Sequence, residues 1–179
     1  MDEFIRLFPE IKDVFIDGTE RPIQRPKKPK NQRKQYSGKK KTTTRKNVVM
    51  TDAKKRILYL SPTKAGRRHD KRLADKVSLL AHIPPEVAVW VDTGFQGIQK
   101  QHPNVCMPKK GTKKLPLTEE EKRENQLISS IRVRVEHAIG GMKRFRAVSD
   151  RFRNRMGRLD ELFIQLAAGL WNYHLSYRY

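Results

Sequence analysis

Along the chain, apolar positions gather into short segments whose spacing changes between the period of a strand and that of a helix. "VFID" (Val14 to Asp17) is an apolar run closed by an acid and followed by Gly18, the pattern of a buried strand that ends at Asp17. "VVMT" (Val48 to Thr51) and "ILYL" (Ile57 to Leu60), separated by a polar stretch, predict an antiparallel hairpin after it. Leu73, Val77 and Leu80 then recur at helical spacing, and Pro84 and Pro85 close that helix. A second strongly β-forming run, Val87 to Val91, again ends in an acid, Asp92, with Gly94 just beyond. "NVCMP" (104–108) reads as one more short strand.

The remaining pattern is helical. Thr118 and Glu121 have the spacing of a capping box, which opens a long helix through Gly141 with Ile131, Val135 and Ile139 on one face. Arg132, Glu136 and Gly140 fall on another face, with Lys143 on the same side. A C-terminal helix is predicted over about 158–178, with Leu159, Phe163, Leu166 and Leu170 as its apolar face. Trp90 and Trp171 fit core positions, and His137, about 100° around the helix from Glu136, fits packing or surface. The order strand, hairpin, helix, strand, helix describes an α/β fold in one domain spanning 1–179, since 179 residues suffice for one core.

Charge changes the picture from fold to partner. The chain carries 40 Lys+Arg against 19 Asp+Glu, a formal charge of +21, which repels itself unless a polyanion shares the surface. Nucleic acid is therefore the leading partner. Residues 21–45 hold eleven Lys or Arg, three Pro and no acid, and are expected to form a basic loop or arm against phosphate. A single cysteine, Cys106, excludes an internal disulfide and fits a reducing compartment, with a small core residue as its plainest role. No N-terminal apolar leader and no 18-residue apolar run occurs, so secretion and membrane association are not expected.

Against this basic background, the acids at the two strand ends stand out. Open α/β sheets place ligands at the carboxyl ends of strands, and a late helix crossing that edge could bring Glu136 to Asp17 and Asp92. Three carboxylates in one place repel by several kcal/mol unless a divalent cation offsets them, and hard oxygen donors suit Mg2+ or Mn2+. The scatter of five His and the near absence of Cys speak against zinc.

"FIDGT" (15–19), "VDTGFQG" (91–97) and "RVRVEHAIGGMKRF" (132–145) together resemble the three signature blocks of DDE transposases of bacterial insertion sequences, a group similar to Harbinger-type nucleases. The third block keeps the family's Arg, three residues, Glu, six residues, Lys as Arg132, Glu136 and Lys143, with Ser129 where relatives often have Tyr. "YSGKKK" (36–41) and "RRHD" (67–70) resemble its linking segments, so the likeness spans about 14–146. The resemblance implies a ribonuclease-H-like fold, whose mixed sheet starts with three antiparallel strands and is flanked by helices. It also implies two Mg2+ or Mn2+ ions held by Asp17, Asp92 and Glu136, acting in phosphodiester hydrolysis and strand transfer during transposition. Arg132 and Lys143 would then position phosphate, and Lys39, Lys40, Lys41 and Arg144 would meet the DNA backbone. His69 and Asp70 stay outside this catalytic set, because an acid at a helix start is favoured by the dipole without catalysis.

The implied partners are DNA at the element's ends and target, together with an upstream DNA-binding chain or a second copy. Relatives carry a helix-turn-helix region upstream, and only 16 residues precede Asp17 here. The implied location is bacterial cytoplasm, at the nucleoid when DNA-bound. Two alternatives stay open at this stage. One is an inactive remnant that binds DNA as a regulator, and the other is a basic ribosome-associated protein.

Overall fold

The computed structural model of the chain describes residues 9–154 and 156–177. Its first elements are β1 (Asp13–Pro22), α1 (Pro29–Gln35), β2 (Tyr36–Ser37), β3 (Thr42–Asp52), β4 (Ile57–Leu60) and β5 (Lys64–Ala65). They are followed by α2 (Asp70–Lys76), β6 (Ala88–Val91), β7 (Val105–Cys106), α3 (Glu119–Met142), α4 (Arg146–Ser149) and α5 (Leu159–Ser176).

The strands join in the order β2-β3-β1-β6-β7, with β4 and β5 also paired to β3. β1 is antiparallel to β3, with Val14 opposite Asp52 and Pro22 opposite Thr44, and parallel to β6, with Phe15 opposite Trp90. This mixed sheet, antiparallel among its early strands and flanked by helices, is the arrangement expected of a ribonuclease-H-like fold.

Central position explains the apolar run in β1. Val14, Phe15 and Ile16 are all fully buried because both faces of the sheet are covered, so the strand cannot alternate polar with apolar. Val14 and Ile16 face a cluster with Leu73, Leu80, Val89, Val91, Phe95 and Ile98, on the side of α2. Phe15, one position out of phase, packs with Val135, Ala138, Ile139, Met142, Ile164 and Trp171 of α3 and α5.

Several expectations are revised. β1 does not stop at Asp17 but runs to Pro22, because β3 keeps pairing with it after β6 has ended at Val91. The segment 21–45, expected as an unpatterned arm, contains α1 with Pro29 in its first turn, as well as β2 and the start of β3. Ile23, Thr43 and Thr44 within it are buried. The helix predicted through Leu80 ends at Lys76, and Ser78 turns with φ 47 into a 3₁₀ turn over Leu79–His82. Leu73, Leu79 and Leu80 all enter the core across that break.

The capping box of α3 is present, with the Thr118 hydroxyl accepting from the Glu121 amide at 3.2 Å and the Glu121 carboxylate accepting from the Thr118 amide at 3.0 Å. In α5 the buried side is Asp160, Ile164, Ala167, Ala168 and Trp171, whereas Leu166 and Leu170 are about half exposed. Small alanines let this helix approach α3 closely. Gly141 of α3 lies directly under the Trp171 ring.

Candidate active site

Strand register brings the two aspartates together. Phe15 and Trp90 are paired neighbours whose rings stack at 6.2 Å, and Asp17 and Asp92 each follow one of them by two residues. With a two-residue side-chain period and strands about 4.8 Å apart, both acids come to the α3 side of the sheet where β1 and β6 part. There Asp17, Asp92 and Glu136 line one cleft of about 300 Å³, together with Lys39, Lys40 and Lys143. Glu136 reaches it from α3, whose Val135 and Ile139 are held in the core on either side of that position. Glu136 itself is exposed.

The backbone orients the aspartates. The Gly18 amide donates to Asp17 Oδ1 at 2.7 Å and the Thr93 amide donates to Asp92 Oδ1 at 2.7 Å. Oδ2 of each then has no hydrogen-bond partner among the described residues. Burial raises the Asp17 carboxyl above its usual range, against the pull of the Gly18 amide and Arg132, with the neighbouring charges of Asp92 and Asp70 raising it further. Lys143 is shifted the other way, since burial and then the nearby Lys40 lower its ammonium below the ordinary value.

Placement of the other expected residues is uneven. Arg132 is buried, and its guanidinium lies 3.8 Å from Asp92 Oδ1, so it pairs with that acid. Lys41 is exposed and lies outside the cleft, on the far side of the turn that carries Lys39 and Lys40. Arg144 is exposed and does not line the cleft.

Three charged residues outside the expected set also line it, namely Asp70, Glu20 and Lys46. Lys46 Nζ stands 3.2 Å from both Glu20 and Asp70 and donates to the Arg68 carbonyl at 3.1 Å. Burial opposes ionisation of Glu20, yet hydrogen bonds from Ser37, Thr44 and Lys46 hold its carboxyl below the usual range. A Cβ on Gly18 would fall 2.4 Å from Asp70 Oδ1, so glycine at 18 is what admits Asp70 to the cleft. The available signal for Asp70 was its place in "RRHD", which helix-capping chemistry explained equally well.

The donor set is all oxygen, which suits a hard divalent cation, and the Oδ2 atoms of Asp17 and Asp92 are left without a hydrogen-bond partner among the described residues. No three acidic, histidine or cysteine side chains converge on a single point among the described residues, so the fit is one of chemistry rather than of a closed coordination shell.

Over residues 16–172 the chain matches the family described as DDE superfamily endonuclease, and it belongs to that family. Over 164 residues it is 36% identical to a protein of Microchaete diplosiphon described as a probable transposase for insertion sequence element IS702. That match covers 91% of this chain and 57% of the relative, so the chain spans little more than half of the relative's length. No solved structure matches the chain. Use of a divalent metal and action on DNA are typical of the family. Among the described residues, no helix is long and apolar enough to cross a membrane.

Proposed function

We propose that this chain is the catalytic portion of an insertion-sequence transposase, cutting and joining DNA with Asp17, Asp92 and Glu136 as ligands of two Mg2+ or Mn2+ ions. The observation that carries it is the placing of three acids, from β1, from the residue just past β6 and from α3, along one cleft edged by Lys39, Lys40 and Lys143. When bound, the ions supply Lewis-acid activation of the attacking oxygen and stabilisation of the leaving one.

The chain's own residues do the rest. The Gly18 and Thr93 amides fix the aspartates so that their free oxygens serve as ligands. Arg132 holds Asp92 against repulsion from its neighbours. Lys143, desolvated and beside Lys40, gains from a phosphate and positions it across the acids. Attack by water leaves a hydroxyl and a phosphate end, and attack by a freed 3′-hydroxyl on a target phosphodiester joins element to target while the target strand's own 3′-oxygen leaves as a hydroxyl. Recognition of the element's ends falls to an upstream DNA-binding region, a separate chain or a second copy, and the site of action is bacterial cytoplasm. An inactive regulator has no observation in its favour, since all three acids line the cleft.

The test is nicking of supercoiled plasmid by purified protein with Mg2+, Mn2+ or EDTA, beside Asp92→Asn and Glu136→Gln. Metal-dependent nicking lost in both variants is expected. Nicking that survives in both, or in EDTA, would refute the assignment.

A further inference from the structure

A second cavity, larger than the acidic cleft at about 810 Å³, opens on the other side of the β2–β3 turn. Arg25, Arg33, Lys41, Arg67 and Arg151 line it with Tyr36, and no acid lines it among the described residues. Arg25 is held in place by donating to Gln32 Oε1 at 2.9 Å. Tyr36 is 46% exposed, and no ring among the described residues stacks on it. Five cations with no acid among the described residues of the lining, around a half-exposed tyrosine ring, are the chemistry of a site for unpaired nucleotides.

The turn between β2 and β3 joins this cavity to the cleft. Lys39 and Lys40 line the cleft, while Gly38 and Lys41 line the cavity, and Lys41 takes φ 53 where the chain reverses. The Lys40 amide donates to Ser37 Oγ at 3.2 Å, which fixes the turn. A backbone leaving the acids over Lys39 and Lys40 therefore meets the cavity next. Its volume is that of a small-ligand pocket, with room for single nucleotide units.

We infer that the Tyr36 cavity binds the unpaired DNA strand that runs on from the cleft, stacking a base on Tyr36 and holding phosphates with Arg67, Arg151 and their neighbours. The inference rests on the proposed DNA-cutting role for its direction along the strand. The binding itself needs no metal, so it can be read when cutting fails.

The experiment measures anisotropy of a labelled single-stranded oligonucleotide and of its duplex, without divalent metal, across a salt series. For Tyr36→Ala, single-strand binding should weaken about ten-fold, Tyr36→Phe should bind like wild type, and duplex binding should change less than two-fold. Arg67→Ala with Arg151→Ala should make the single-strand salt slope shallower by about 1.4, the value for two lost phosphate contacts. A 5-iodouracil strand should crosslink to Tyr36 of the wild-type protein, which needs no variant to fold. Crosslinks only elsewhere, unchanged single-strand binding by Tyr36→Ala, or equal weakening of strand and duplex would each overturn the inference. If plasmid is nicked but the crosslink misses Tyr36, the cavity is refuted and the active site stands.

Discussion

Replacing Gly141 with alanine would place a Cβ 2.3 Å from both Cε3 and Cζ3 of Trp171, a ring only 5% exposed. The ring cannot retreat freely, because its Nε1 donates to the Lys55 carbonyl at 2.9 Å and it packs in the cluster with Val135, Ile139 and Met142. Overpacking of this kind costs about 1–3 kcal/mol, and displacement of the indole forfeits a hydrogen bond worth about 1 kcal/mol. Alanine's better helix propensity returns about 1 kcal/mol. The net is a loss of about 1–3 kcal/mol, or roughly 3–10 °C in Tm for a chain of this size. Gly169 of α5 supplies the contrast, since a Cβ there meets nothing within 4 Å, and Gly169→Ala should gain about 0.5–1 kcal/mol. Urea titrations of both variants beside wild type read the two signs. Because α3 also carries Glu136, the shift forced by Gly141→Ala should lower nicking by the folded protein as well, by up to about 10²-fold. A Gly141→Ala protein as stable as wild type would refute the described contact between α3 and α5.

Two further outcomes follow from charge and burial. Lys143 has its folded pKa lowered, so its charge costs stability at neutral pH, and that cost shrinks as pH rises past the lowered value and is gone above the ordinary one. Lys143→Gln should therefore raise Tm at pH 7 in DNA-free protein while weakening DNA binding and reducing the salt slope by about one, measured by melting and by anisotropy. Burial, and then Asp13, push the Cys106 thiol above its usual range, so iodoacetamide at pH 8 should label the folded protein more slowly than the urea-unfolded chain.

Local signals made much of this fold legible in the sequence. The apolar runs before Asp17 and Asp92 and the capping box at Thr118 are written in adjacent residues, and the structure has β1, β6 and α3 there. The two aspartates share a face because each lies two residues past an aromatic of the same register, which the sequence displays once the pairing is known. What was hidden depended on contacts distant in sequence. Lys46 reaches the cleft through its register opposite Glu20, and Asp70 through the return of the chain past β5. Arg132 shares a helix side with Glu136, but periodicity does not say that the sheet covers one and leaves the other open. The face of α5 was misread because nearly every position from Leu162 to Trp171 is apolar or small, so two overlapping stripes fit equally, and close packing against α3 chose the one with alanines.

The central claim is that acids from β1, from the end of β6 and from α3 act as one divalent-cation site. Titration of Mn2+ into the DNA-free protein, followed by electron paramagnetic resonance of the unbound ion, tests it most directly beside Asp17→Asn, Asp92→Asn and Glu136→Gln. The account predicts saturable binding by wild type that each substitution weakens, with Asp17→Asn and Asp92→Asn the most damaging because backbone amides already orient those two carboxylates. Binding of equal affinity and stoichiometry in all four proteins would contradict it.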